Sequence, residues 1–256
     1  MRLGKTLLRL IIGLIIVLFG TFKFCSSSEE NPVTGEKQYV GLSAEEEISL
    51  GRQSTPKMIE QYQGLHPDSD DQRLVQEVGK KISTNSMASS SPYEFKFYLL
   101  ADEETVNAFA LPGGPIFITY ALFKKLEDED QLAGVLGHEI GHVISRHSAE
   151  RMAKQGFTNS ILTGVAVGSE SGGATQTAAV AANLVNMKYG RGDELESDHI
   201  GVKIMLEAGY DPEALIGVMK ILESSSGSSR LPEFQSTHPN PKNRIEKIKE
   251  AIEMYQ

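Results

Sequence analysis

Residues 137–142 read Gly-His-Glu-Ile-Gly-His. On a helix, His138 and His142 fall on one face, one turn apart, where two imidazoles can converge on a single cation. Glu139 is one step round the helix, close enough to reach a water held by that cation without binding the ion itself. This is the HExxH arrangement of zinc hydrolases. Two histidines alone make a poor zinc site, because a catalytic zinc takes a third protein ligand and keeps a fourth position open for water. A second reading is a partly buried helix with two solvated histidines.

The third ligand has a candidate in Glu194-Leu-Glu-Ser-Asp198. Glu194 and Asp198 are four apart and share a helix face. One carboxylate suits the metal; the other suits the free N–H of a ligand histidine, whose tautomer it would fix. Glu196 points elsewhere, and His199 is a rival ligand. Taken alone, this acidic run reads as a solvated helix start.

The elements that must position these groups follow from periodicity. A helix from about Asp128 to His147 carries the first motif, with an acid-rich start that suits a helix N-terminus. Gly137 and Gly141 inside it cost roughly 1 kcal/mol each in helix propensity, which fits close approach by another element. Further helices are expected over Asp193 to Ala208, Pro212 to Glu223 and Pro241 to Met254. Ser43 with Glu46 is a capping box that starts a helix carrying Ile48 and Leu50. Leu74, Val75, Val78 and Ile82 mark one face of another helix. Ser83 to Pro92 reads as a polar loop, and Tyr93, Phe95, Phe97 and Leu99 alternate as a strand. Two apolar runs, Val106 to Leu111 and Pro115 to Tyr120, flank Pro112-Gly113-Gly114 and read as a hairpin or extended edge. The edge from Phe109 to Tyr120 would pair with an extended peptide beside the metal helix. Residues 164–174 and Ser224 to Ser229 read as loops, Thr175 to Lys188 as an Ala-rich helix, and Tyr189 to Gly192 as a break.

The chain carries a net charge of −9, and the body beyond residue 24 is more acidic still. That argues against a nucleic-acid partner, because phosphate contacts need a basic face. Arg2, Lys5 and Arg9 precede the apolar run Leu10 to Phe22, which is shorter than the ~20 residues of a bilayer span and fits a signal-peptide core better. Cys25, the only cysteine, follows as in a bacterial lipoprotein leader, although Phe22-Lys23-Phe24 matches that signal poorly. Cleavage at the serines beyond it and an uncleaved anchor lengthened by Leu7 and Leu8 remain open. The resulting division is a signal peptide or membrane anchor over 1–24, a linker over 25–41 and a catalytic domain over 42–256.

Together the motifs resemble zinc metallopeptidase family forty-eight, the HtpX-like, BepA-like and LoiP-like gluzincin peptidases. The resemblance runs from Asn31 to Arg244 through Asn31-Pro-Val-Thr-Gly35, Asn107-Ala-Phe-Ala110, Pro112-Gly-Gly114, the HExxH, Glu194-x-x-Ser-Asp198 and Thr237-His-Pro239 with Arg244. Ser197 stands where the family usually has alanine. The resemblance implies an α+β, mainly helical, zincin-like metallopeptidase domain with a small β-sheet beside the HExxH helix. It implies one zinc ion held by His138, His142 and Glu194, with Glu139 as catalytic base and Asp198 hydrogen-bonding behind a ligand. The expected function is a membrane-tethered zinc metalloendopeptidase acting on unfolded or misfolded envelope proteins, on the periplasmic side. The alternatives are a thermolysin-like peptidase, which the motifs on either side disfavour, and a chaperone-like binder of unfolded envelope proteins with latent proteolysis. His238 reads as a turn residue by itself. By resemblance it is either a reversible fourth ligand or an oxyanion stabiliser, with Arg244 bracing its loop.

Overall fold

The computed structural model describes residues 2–168, 188–224, 234, 237–238 and 243–255. The loop expected over 164–174 lies outside them from 169 onward. Residues 175–187 of the Ala-rich helix, and the loop beyond Ser224, also lie outside.

Helix α1 runs Arg2–Ser26, and Gly4–Ser26 within it is long and apolar enough to cross a membrane. Leu7, Leu8 and Phe24 carry the helix beyond the Leu10 to Phe22 run. The next segment, expected as a linker, is instead built onto the body. Strands β1 (Ser28–Glu30) and β2 (Lys37–Tyr39) pair antiparallel. Their turn is closed by Asn31, whose Oδ1 accepts from the Val33 and Thr34 amides at 2.8 and 3.1 Å. The Asn31 amide nitrogen then donates to Ile144 O at 2.7 Å, and Gln38 Nε2 donates to Ser145 O. The hairpin therefore satisfies carbonyls that the end of the metal-motif helix leaves without intrahelical partners.

Helix α2 (Ala44–Gln61) starts at Ser43 with both halves of the capping box formed. Helix α3 (Ser69–Thr84), capped by Asp68, buries Val75, Val78 and Ile82. It extends into the segment expected as a polar loop, which then forms a 3-10 turn at Met87–Ser90. Strands β3 (Lys96–Leu100), β4 (Ala108–Ala110) and β5 (Pro115–Thr119) form a sheet of order β3-β5-β4. β3 and β5 are parallel, and β4 and β5 form the expected antiparallel hairpin. β5, expected with β4 as one edge, lies in the middle, so among the described residues β4 is the strand of this hairpin that offers an edge. Gly113 (φ +81°) and Gly114 (φ +121°) make the hairpin turn, where a side chain on Gly113 would collide with the backbone of Ile48 on α2.

After a short helix α4 (Tyr120–Phe123), α5 spans Glu129–Ile144 and is buried along nearly its whole length. The single helix expected to His147 breaks at Arg146, which sits in the left-handed region at φ +56°. Arg146 is held there by Glu47, Glu29 and the carbonyl of Leu42. Helix α6 follows over His147–Gly168, then α7 (Arg191–Glu207), α8 (Ala214–Ser224) and α9 (Arg244–Tyr255). The main core joins α3, the sheet, α5, α7, α8 and α9. α5 and α7 cross at glycine: a Cβ on Gly141 would lie 3.0 Å from Ser197 Cα, and one on Gly201 would lie 3.2 Å from His138 N. The propensity cost of Gly137 and Gly141 is thus the condition for bringing the two candidate motifs together.

Candidate metal centre

α5 presents His138, Glu139 and His142, α7 presents Glu194 and Asp198, and Arg244 enters from the start of α9. His238 comes from the segment before it, and all of these side chains are buried. The His138 Nδ1 hydrogen donates to Asp198 Oδ1 at 2.9 Å, which leaves Nε2 as the lone-pair nitrogen of the ring. That nitrogen lies 3.1 Å from His142 Nε2 and 3.4 Å from His238 Nδ1. Glu194 Oε1 lies 3.4 Å from His142 Nε2 and 3.1 Å from His238 Nδ1.

These spacings test whether a metal fits. Donors on a tetrahedral cation at about 2.0–2.1 Å stand roughly 3.3–3.4 Å apart. The four edges, 3.1–3.4 Å, lie at or just below that value, and the donor set of imidazole and carboxylate is one that zinc takes. Without a cation, lone pairs would face each other in a sealed space, which is costly. Among the described residues, both carboxylate oxygens of Glu139 and the far nitrogen of His238 are buried with no hydrogen-bond partner, and the two groups are 3.8 Å apart. The residues present fit a metal site with an unengaged carboxylate beside it.

Electrostatics supports the arrangement. Burial works against ionisation of Asp198, but the Arg244 guanidinium and the His138 N–H outweigh it and hold the carboxyl below its usual range. Arg244 makes contacts of 2.6 and 2.9 Å to Asp198 and reaches Glu194 Oε2 at 3.1 Å. Burial pushes the Glu139 carboxyl up, against the pull of His238, His138 and Arg244. Burial also drives His142 well below the ordinary imidazole value, so its neutral form, the metal-binding one, dominates.

Three neighbours escaped the sequence reading. Tyr189 lies in the segment read only as a helix break; its ring stacks on His142 at 3.9 Å and its hydroxyl meets Ser148 at 2.9 Å. His147, which opens α6, places Nδ1 2.8 Å from His142 Nδ1, and its Nε2 is 3.3 Å from Glu196. Phe234 stacks on His238 at 4.4 Å, accepts its backbone N–H and donates its own to Val106 O. Only Tyr189 left a signal, an aromatic next to glycine at a helix boundary. The rival ligand His199 stands outside the cluster and bonds the Tyr255 hydroxyl.

The family model described as "Peptidase family M48" matches residues 69–252. The chain is 31% identical over 258 residues to the "Beta-barrel assembly-enhancing protease" of Escherichia coli (strain K12), covering 95% of this chain and 51% of the relative. It is 28% identical over 248 residues to the "Mitochondrial metalloendopeptidase OMA1" of Schizosaccharomyces pombe, covering 94% and 71% respectively. The OMA1 protein of Arabidopsis thaliana is 31% identical over 182 residues, covering 71% of this chain and 37% of that protein. The chain thus spans about half the length of the bacterial relatives it matches.

Proposed function

The chain belongs to peptidase family M48, and on that premise we propose that it is a membrane-tethered zinc endopeptidase acting on unfolded or misfolded envelope proteins. The observation that carries this reading is the set of four buried donor atoms within 4.8 Å of one another, beside the unengaged Glu139 carboxylate. His138, His142 and Glu194 would hold the zinc, and Asp198 would fix the His138 tautomer. When bound, zinc supplies Lewis acidity that polarises the scissile carbonyl and makes water a better nucleophile. Glu139 takes the proton from that water and passes it to the leaving amine. Burial raises its affinity for that proton.

His238 acts as a reversible fourth ligand. Its Nδ1 stands with the donor atoms of His138, His142 and Glu194, and with the metal bound it would take the place of a water and leave the resting enzyme latent. Phe234, in the same segment, bonds Val106 beside the β4 edge. One movement would therefore free both that donor position and the Val106 carbonyl, two residues before β4. An extended substrate would then pair with β4 by its backbone, which gives affinity without strong sequence choice and favours unfolded chains. Arg244 braces Asp198 and Glu194 from behind. A relative named for β-barrel assembly supports the envelope assignment, and relatives named as metalloendopeptidases support the activity. The remaining parts are a periplasmic catalytic domain over 42–256 and an anchor formed by α1 or by lipid on Cys25.

The test compares one protein in native and unfolded form as substrate for the full chain, before and after chelation. The unfolded form should be cut faster, chelation should stop cleavage and zinc should restore it. His238→Ala should raise basal cleavage. Equal rates on both forms, or cleavage that survives chelation, would contradict the proposal.

A further inference from the structure

Helices α1 and α6 lie side by side and antiparallel. Phe24 stacks on Phe157 at 4.9 Å. Further along, a Cβ on Gly20 would meet the Ser160 side chain at 2.5 Å. Further still, a Cβ on Gly164 would lie 2.6 Å from the carbonyl oxygen of Gly13 and 2.5 Å from Val17. Each step along α6 away from the catalytic body thus matches a step back along α1. The second half of α6 runs level with the middle of α1's apolar stretch. A leader destined for removal has no reason to carry glycines in register with a helix of the body.

The outward faces continue one another. α1 exposes Leu10, Leu14, Leu18 and Phe22, each more than half accessible, and α6 exposes Leu162 (61%) and Val165 (59%). From Gln155 to Gly168, α6 carries no charged residue, whereas Glu150, Arg151 and Lys154 cluster nearer the body. The hydroxyls of Thr158 and Ser160 bond carbonyls one turn back, so they need no water. Lys23 lies near the level of Phe157, where a lysine suits a headgroup layer. A cavity of about 330 Å³ opens between the helices at this level, lined mainly by apolar side chains and glycine, Phe19, Met152 and Phe157 among them.

We infer that α6 enters the bilayer beside α1, so that the chain is held by a two-helix wedge whose lipid-facing side includes Leu162 and Val165. This rests on α1 being a retained membrane helix and goes beyond it, because it makes part of the catalytic body a membrane element. Close glycine contacts are how helices associate inside lipid, where apolar surface alone provides no drive. α6 begins at His147, in contact with His142. Ten residues of helical rise from there to Phe157 amount to about 15 Å, so the metal centre is held near the headgroup layer. Substrates are then polypeptide segments at the membrane surface.

The chain contains no tryptophan, so single tryptophans can be introduced as unambiguous probes. Leu162→Trp, Val165→Trp and the α1 control Leu14→Trp, in the full chain, are reconstituted into phosphatidylcholine vesicles with and without brominated acyl chains. All three positions are exposed, so the larger ring needs no repacking. Brominated lipid should quench Leu162→Trp and Val165→Trp as strongly as Leu14→Trp, with blue-shifted emission and little quenching by iodide in the water. Quenching of Leu14→Trp alone, with the α6 probes open to iodide, would overturn the wedge while leaving the anchor intact. No quenching at Leu14→Trp would overturn the anchor, and the wedge with it.

Discussion

Around His138, side chains from α5, α7 and the start of α9 converge within hydrogen-bonding distance and are closed off from water. Along α1 and α6, glycine backbones touch and the outward side chains are bare. Both regions depend on close helix approach through glycine, at Gly141 and Gly201 in one and at Gly20 and Gly164 in the other. What the approach brings together differs. In the metal centre it sets Arg244 against Asp198 and the imidazoles against Glu194, and leaves the Glu139 carboxylate unengaged beside them. In the α1–α6 pair it brings together backbone, small side chains and the stacked rings of Phe24 and Phe157, with no charged pair among these contacts, and the surface left over is matched to lipid.

The largest effect belongs to the donors. Glu194→Ala should leave the purified protein without bound zinc and without peptidase activity, read by metal analysis and casein digestion of one preparation. Next comes Arg244→Leu, which leaves Asp198 buried without its cation. Breaking such a pair costs about 3–5 kcal/mol, measurable as a shift in denaturant midpoint of the metal-free protein. A shift like that of a surface mutation would mean that the centre is less closely coupled than its geometry indicates.

Asn31→Ala lies between the two regions, because the hairpin following α1 caps the end of α5. Losing the partner of the Ile144 carbonyl should cost about 1–3 kcal/mol while zinc stays bound. The smallest effect is expected at Leu162→Ser, on the bare side of α6. Zinc content should be unchanged and the unfolding free energy in detergent should move by no more than about 0.5 kcal/mol. A large loss there would mean that α6 packs against protein rather than lipid.

The two regions also differ in how well the sequence discloses them. Ligand chemistry imposes spacing, so His138, Glu139 and His142 were readable on one helix, and Glu194 with Asp198 on another. The β4–β5 hairpin and the capping box at Ser43 were readable because turns and caps demand particular residue types. The break at Arg146 was not, since an arginine with φ +56° is held by Glu29, Glu47 and Leu42, all distant in sequence. The hairpin at 28–39 was read as a linker because its polar composition suits a loop; its order comes from Asn31 and Gln38 reaching carbonyls of the α5 terminus. The partnership of α1 and α6 leaves no periodic mark that a single helix would show.

The central claim is that Glu139 does proton chemistry beside a metal that His138, His142 and Glu194 hold. The most direct measurement is zinc content and casein cleavage of Glu139→Gln beside the unmodified chain. The account predicts one zinc per chain in both and a loss of turnover of roughly 10²-fold or more in the variant. Casein cleavage by Glu139→Gln at the unmodified rate would contradict it.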